Sequence, residues 1–206
     1  KVPEGASKTV VYAFLSKTGI IGVKGVNVVR VAGPPDVAKT EQTNYIRNGQ
    51  FQDWEDGVPT SWTSEIAAKN GSDSPKSEIK PLAQSGVVLS GNVRTMVWKS
   101  LGQDVTLAPG KSYSLSFQAS TEGVRREGRQ YDNCYVGVMH FDAGGARLDM
   151  AINDLSKVGP WRPQTIRFTP PAATAKSKIL IFLSKSGSLK VKDVSLKEAT
   201  PEKPFR

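Results

Sequence analysis

Residues 179–196, ILIFLSKSGSLKVKDVSL, constrain the fold more than any other stretch of this chain. The first five are a continuous apolar run rich in β-branched and aromatic residues, of strand length rather than helix length. Ser186-Gly187 supplies turn chemistry. Leu189 and Val191 then alternate with lysines, so one face of a second strand is apolar. Val194 and Leu196 resume the alternation one residue out of phase, which predicts a bulge near Lys192-Asp193. The stretch therefore reads as a hairpin. Residues 10–29, VVYAFLSKTGIIGVKGVNVV, repeat it without a gap. Phe14-Leu15-Ser16-Lys17 aligns with Phe182-Leu183-Ser184-Lys185, Gly19 with Gly187, and Val23 and Val26 with Val191 and Val194. Two copies of one hairpin imply two copies of one module.

The two copies differ in what precedes them. Before the second lies enough chain for a whole domain; before the first lies almost nothing. A lone hairpin leaves its apolar face in water, which is marginal at best. Residues 1–33 are thus expected to be either the terminal hairpin of a partial preceding module or a strand pair for assembly. In the second case residues 10–29 would dock on a neighbouring copy or complete another sheet. Gly33-Pro34-Pro35-Asp36 breaks the pattern, and residues 34–43 read as a linker. Residues 44–198 form the main module, and 199–206 a tail.

Within 44–198, short strand-like runs alternate with Gly/Pro turns. Tyr113-Ser114-Leu115-Ser116-Phe117 alternates strictly, and Pro109-Gly110, Ala143-Gly144-Gly145 and Pro170-Pro171 punctuate the chain. No helical stripe is present. Such a pattern predicts an all-β antiparallel sandwich. Closure of the sandwich would put the last strand beside the segment around Tyr45–Trp54.

Composition limits the partners. With 38% hydrophobic and 23% charged residues, the chain can bury a core. Its net charge of +9 favours acidic partners such as uronic or sulfated glycans, anionic lipid or nucleic acid. No nucleic-acid module signature accompanies the charge, so nucleic acid is an unfavoured partner. No apolar run approaches the ~20 residues of a membrane-spanning helix. The one cysteine, Cys134, has no partner for an internal disulfide.

At the start of the main module, Tyr45-Ile46-Arg47-Asn48-Gly49-Gln50-Phe51-Gln52, followed by Pro59 and Trp62, resembles the opening of carbohydrate-binding modules of the family 4, 9 and 22 group. Val93–Trp98 ahead of Gln103-Asp104-Val105, Gly110-Lys111-Ser112-Tyr113, and the closing Val191-Lys192-Asp193-Val194-Ser195-Leu196 are similar to those modules as well. The match spans residues 44–197. The resemblance implies a jelly-roll, galactose-binding-like β-sandwich that binds polysaccharide without catalysis, in an extracellular or cell-surface setting. It implies a cleft position for Trp98 and structural positions for Trp62 and Trp161. It also implies a structural calcium ion, held by the carboxylate after N-G-x-F and an aspartate pair of the last strand. Here Gln52 replaces that carboxylate and Lys192 the first aspartate, leaving Asp193, with Asp53 as a substitute ligand. Calcium favours six to eight oxygens with carboxylates among them, so the ion is expected to matter less here.

The residues can also be weighed one by one. Aromatic faces suit sugars, because C–H groups pack on the ring while hydroxyls bond at its edge. Trp98 is the leading contact candidate, with Arg94, Tyr131 and Tyr135 beside it. Tyr131 and Tyr135 share a strand face by period two and could line a sheet, core or rim being the structural alternative. Arg125, Arg126 and Arg129 crowd one loop, and guanidinium forks match carboxylate or sulfate. A solvated loop is the alternative. His140 is expected as a packed residue and Cys134 as a small buried hydrophobe.

Enzyme motifs fail. Gly110-Lys111-Ser112 ends like a phosphate loop, but Val105 stands where its first glycine is needed. One cysteine and one histidine cannot build a zinc cluster.

Three functions follow in order. First is non-catalytic binding of an extracellular polysaccharide, acidic given the charge, on one sheet face. Second is a structural sandwich of a surface layer, fibre or phage-type particle, assembled through the N-terminal hairpin. Third is a catalytic sandwich such as a lyase, which would need His140 or converging carboxylates in a cleft.

Overall fold

The computed structural model describes residues 42–68, 78–91, 97–124, 134–184 and 186–199, and for 67, 68, 97 and 98 the backbone alone. The N-terminal repeat at 10–29, the linker up to residue 41, Arg94, Arg125, Arg126, Arg129 and Tyr131 lie outside the described residues. So does the side chain of Trp98.

Twelve strands occur among the described residues, and no helix. They are β1 (Trp54–Glu55), β2 (Val58–Pro59), β3 (Thr63–Ala68), β4 (Glu78–Pro81), β5 (Val87–Gly91) and β6 (Val97–Val105). Then come β7 (Tyr113–Glu122), β8 (Cys134–Phe141), β9 (Arg147–Asp154), β10 (Arg162–Phe168), β11 (Lys176–Ser184) and β12 (Gly187–Glu198). Strands β1 and β2 form a small hairpin. The others build two five-stranded antiparallel sheets, β10-β7-β12-β5-β4 and β3-β6-β11-β8-β9. The result is the all-β antiparallel sandwich that the alternating runs predict, with the jelly-roll form that the resemblance implies.

The apolar run at 179–183 is continuous because β11 is the central strand of its sheet, hydrogen-bonded to β6 and β8. Ile179, Ile181 and Leu183 point inward and are fully buried, while Leu180 and Phe182 point outward and are half-buried. Across the core, Leu89, Leu115, Phe117, Ala119, Leu189 and Val191 close the first sheet's inner face. Each buried Leu or Ile of this kind stabilises the fold by about 2–5 kcal/mol relative to alanine.

The strands on either side of Ser186-Gly187 do not pair with each other, contrary to the expected hairpin. β11 belongs to one sheet and β12 to the other. The connection is an arch across the core rather than a ladder-paired hairpin. Both strands must turn an apolar face to the same core, and lying in opposite layers satisfies both. Gly187 has φ 108°, and a Cβ there would stand 2.7 Å from the Val124 nitrogen, so the arch requires glycine.

β12 carries the expected bulge. Its register against β7 shifts between Lys192 and Ser195, and Asp193 has φ 55°. β5 pairs with β12 only over Gly187–Val191. Beyond that point the segment after the linker takes over. The Tyr45 amide donates to the Leu196 carbonyl (2.9 Å) and the Val194 amide to the Gly49 carbonyl (2.9 Å). The closing contact is therefore present, made by irregular chain rather than by a strand.

Candidate functional site

Two features of this sandwich could carry function: a cleft where residues 44–53 meet the β12 bulge, and the outer face of the β3-β6-β11-β8-β9 sheet.

The cleft is built around Asn48. Its side-chain amide donates to the carbonyls of Asp53 (2.7 Å) and Thr60 (3.1 Å), and its Oδ1 accepts from the Gln52 amide (3.0 Å). Its own carbonyl accepts from the Trp62 indole (3.3 Å). Phe51, at φ 55°, is thereby folded inward onto Trp62 with ring centroids 5.0 Å apart. Glycine is required next to it, because a Cβ at Gly49 would overlap the Val194 carbonyl oxygen. The N-G-x-F and P-x-x-W pieces of the sequence are thus two halves of one corner. Gln103 pins that corner to the sheet. Its buried amide accepts from the Arg47 N–H and donates to the Arg47 carbonyl, both at 2.9 Å.

Asp53, Gln52 and Asp193 all line this cleft of about 460 Å³, with Asn44, Asn48 and Ser195. The structure therefore unites the residues singled out for calcium. Several oxygens around them are already hydrogen-bonded. Asn44 Oδ1 accepts from the amides of Ile46 and Leu196, and Asn48 Oδ1 from Gln52. Asp193 Oδ2 accepts from the Gln118 amide at 3.0 Å. No cluster of three His, Cys, Asp or Glu capable of holding a metal exists among the described residues. Two carboxylates with committed amide neighbours fall short of a calcium cage.

The outer sheet face is different in kind. Register sets its side chains in rows across the strands. One row runs Glu65, Ser100, Phe182, Tyr135, Asp154; the next runs Thr63, Gly102, Leu180, Gly137, Ile152. Tyr135 and Phe182 stack, with centroids 4.8 Å apart and planes at 23°. Gly137 lies under Ile152, whose methyl would stand 2.7 Å from an added Cβ, and Gly102 lies under the Lys178 stem. Met139 and Met150 extend the surface, both half-buried. The centre of this outward face thus carries Phe, Tyr, Leu, Ile and Met among polar neighbours (Glu65, Thr63, Ser100, Asp154 and Lys178), where an alternating antiparallel sheet normally gives water a polar face throughout.

Tyr135 takes the sheet-face position expected of it, yet it is only 7% exposed. Burial raises its phenol pKa, and its ring backs Phe182 rather than standing free. Position 98 pairs with Ser184 and Ala67, two residues along β6 from Ser100, which stands opposite Phe182. Phe182 and Leu180 were readable only as core, because a central strand with two apolar faces shows no alternation. Lys99 was also missed. It lies fully buried opposite Leu183, and burial pushes its ammonium pKa down to about 8.

The remaining candidates separate cleanly. Trp62 is buried at the corner, as the resemblance implies. Trp161 is not structural in that sense: its ring is 40% exposed, with the Lys192 Nζ 5.0 Å from its centroid. It sits just before β10 on an outward face, where no core is available to it. His140 is buried between the sheets, its Nδ1 2.9 Å from Ser177 Oγ, and burial lowers its pKa. Cys134 is buried too, and desolvation pushes its thiol pKa up.

No protein-family model matches the chain, and no curated protein matches it. Solved structures do. The chain is similar to the enzymatically active domain of tailspike protein 4 of bacteriophage CBA120, with TM-score 0.55 and 16% identity. That likeness covers 76% of this chain and 21% of the tailspike chain, so this chain spans a small part of that protein's length. It is also similar to a family 4 carbohydrate-binding module (TM-score 0.49, 15% identity, 75% of this chain and 99% of that one). A family 61 module in complex with β-1,4-galactotriose gives TM-score 0.45 and 16% identity over 77% of this chain and 100% of that one. Modules of families 11, 16 and 22 are similar in the same range. At 16% identity the likeness to the tailspike domain is one of fold alone.

Proposed function

We propose that this chain binds a polysaccharide, without catalysis, on the outer face of the β3-β6-β11-β8-β9 sheet. The observation that carries the reading is the apolar, aromatic surface made by Phe182 on Tyr135, with Leu180, Ile152 and Met139 around it. Sugars present C–H faces to such rings, and Glu65, Ser100 and Asp154 stand in the same row for hydroxyls. The motif resemblance adds Trp98 on β6, with Arg94, Tyr131 and the arginines at 125, 126 and 129 as further contacts. Those arginines and the net charge of +9 favour an acidic chain. The same resemblance favours an extracellular or cell-surface setting. No helix among the described residues is long and apolar enough to cross a membrane. The burial of His140 in the core supports a binding role over a histidine-based reaction.

Trp98→Ala should weaken binding to the cognate glycan by at least about tenfold, with melting lowered by no more than a few degrees. Unchanged affinity in calorimetric titration would remove Trp98 from the site. A second reading is a structural sandwich of a surface layer, fibre or phage-type particle. The fold shared with a tailspike chain favours it, and a glycan panel that yields no binder while the protein assembles into particles would select it.

A further inference from the structure

On the outer face of the β3-β6-β11-β8-β9 sheet, Lys178 leaves the partner that register offers it. It stands directly opposite Asp104 in the β11–β6 ladder, a position that suits a cross-strand ion pair. That pair does not form. Asp104 takes Lys176 instead, with Nζ 3.5 Å from Oδ2. Lys178 itself makes no ion pair or hydrogen bond among the described residues. Its half-buried side chain runs the other way, over Gly102. A Cβ added to Gly102 would stand 2.6 Å from Lys178 Cε and 3.5 Å from its Cδ, with Thr63 Oγ1 at 3.4 Å. The stem therefore crosses β6 on top of a glycine and carries the ammonium toward Thr63 on β3. Gly102 is buried and its φ is not positive, so glycine supplies space there rather than backbone freedom. On the other side of Leu180 the arrangement repeats, with Gly137 buried under Ile152. Leu180 is thus flanked in its own row by two glycines, each roofed by an aliphatic chain, and one of those chains ends in a cation.

We propose that Lys178 is a sugar-contacting residue of the glycan site and that Gly102 positions it. The inference rests on the reading of this apolar face as that site. A sugar ring packs on Leu180 and on the Lys178 stem, and the ammonium donates to an oxygen of the same sugar, a hydroxyl or a carboxylate. Burial of a lysine stem along apolar surface is ordinary, and the free head then works at the edge of that surface. Three rotatable donors suit a ligand whose oxygens point in several directions. Asp104 and Glu65 lie on the same face, so the contact is one local hydrogen bond and not the attraction of a cationic patch.

The whole chain is titrated with a neutral β-glucan, polygalacturonate and heparin. Lys178→Met keeps the stem and removes the donors, and should weaken binding by about tenfold. Loss on the neutral probe assigns the oxygen to a hydroxyl, and loss on an acidic probe alone to an anionic substituent. Lys178→Arg should restore most of the affinity. Gly102→Ala displaces only the flexible end of Lys178, so binding should weaken while melting moves by no more than a few degrees. Combined with Lys178→Met, its loss should be less than additive, because both variants act on one contact. Wild-type affinity in Lys178→Met for a probe that the unaltered chain binds would overturn the proposal, and so would fully additive losses. If the unaltered chain binds no probe, or binds one away from β6, β11 and β8, the glycan reading itself fails and this contact with it.

Discussion

Asn48 shows how one side chain can hold a corner. Its amide donates to the Asp53 and Thr60 carbonyls, its side-chain oxygen accepts from Gln52 and its backbone oxygen from the Trp62 indole, which ties residues 52–62 together. Asn48→Ala strands the Asp53 and Thr60 carbonyls and should cost about 2–3 kcal/mol in urea unfolding. Near wild-type stability would mean that the corner is held by Phe51 and Trp62 packing alone. His140 sets a pH dependence. Its folded pKa is depressed by burial, while the unfolded imidazole titrates near ~6.5. Stability due to the neutral ring is fully present above that pH and is lost as pH falls below it, because the unfolded chain then binds the extra proton. His140→Gln should flatten this limb of the stability curve; an unchanged slope would assign the limb to other groups. Little of this was legible beforehand. Asn48-Gly49 could be read as a turn and Trp62 as structural, but the left-handed Phe51 that joins them follows from hydrogen bonds which spacing does not encode.

At the scale of elements, alternation identified the strands and failed to say which layer each joins. The run at 179–183 and the Leu189/Val191 alternation are both apolar toward the core whether the strands pair or face each other, so a hairpin and an arch have the same pattern. The bulge was legible, because the phase slip at Lys192-Asp193 is itself a sequence signal, and Asp193 sits there at φ 55°. Trp161 was not. Its position in the motif order suggested a structural tryptophan, whereas the outward face of β10 leaves it in solvent. The arch makes its own prediction. Gly187→Ala adds a Cβ 2.7 Å from the Val124 nitrogen at a positive φ, and should destabilise the fold by about 1–3 kcal/mol. The same substitution at Gly110, which also has positive φ but open space around it, should cost less; equal losses would show that backbone strain alone governs both.

Across the described sandwich there is one core and two unlike faces, one with apolar and aromatic side chains at its centre, the other of hydroxyls, lysines and carboxylates. At the cleft the side-chain oxygens of Asn44 and Asn48 accept from backbone amides and Asp193 Oδ2 accepts from the Gln118 amide, so three of the oxygens that a cation would draw on are already hydrogen-bonded. Millimolar calcium should therefore leave the melting temperature within about a degree, set against the several degrees that RT ln(1 + [L]/Kd) gives a tightly bound ion. A large rise that Asp193→Ala abolishes would show that the cleft holds calcium after all. The apolar face is where the central claim stands or falls, and amide chemical-shift mapping with a saturating oligosaccharide tests it most directly. The account predicts perturbations clustered on the outward rows of β6, β11 and β8, around Ser100, Phe182, Leu180 and Tyr135. Perturbations absent from those rows, while the glycan is demonstrably bound, would contradict it.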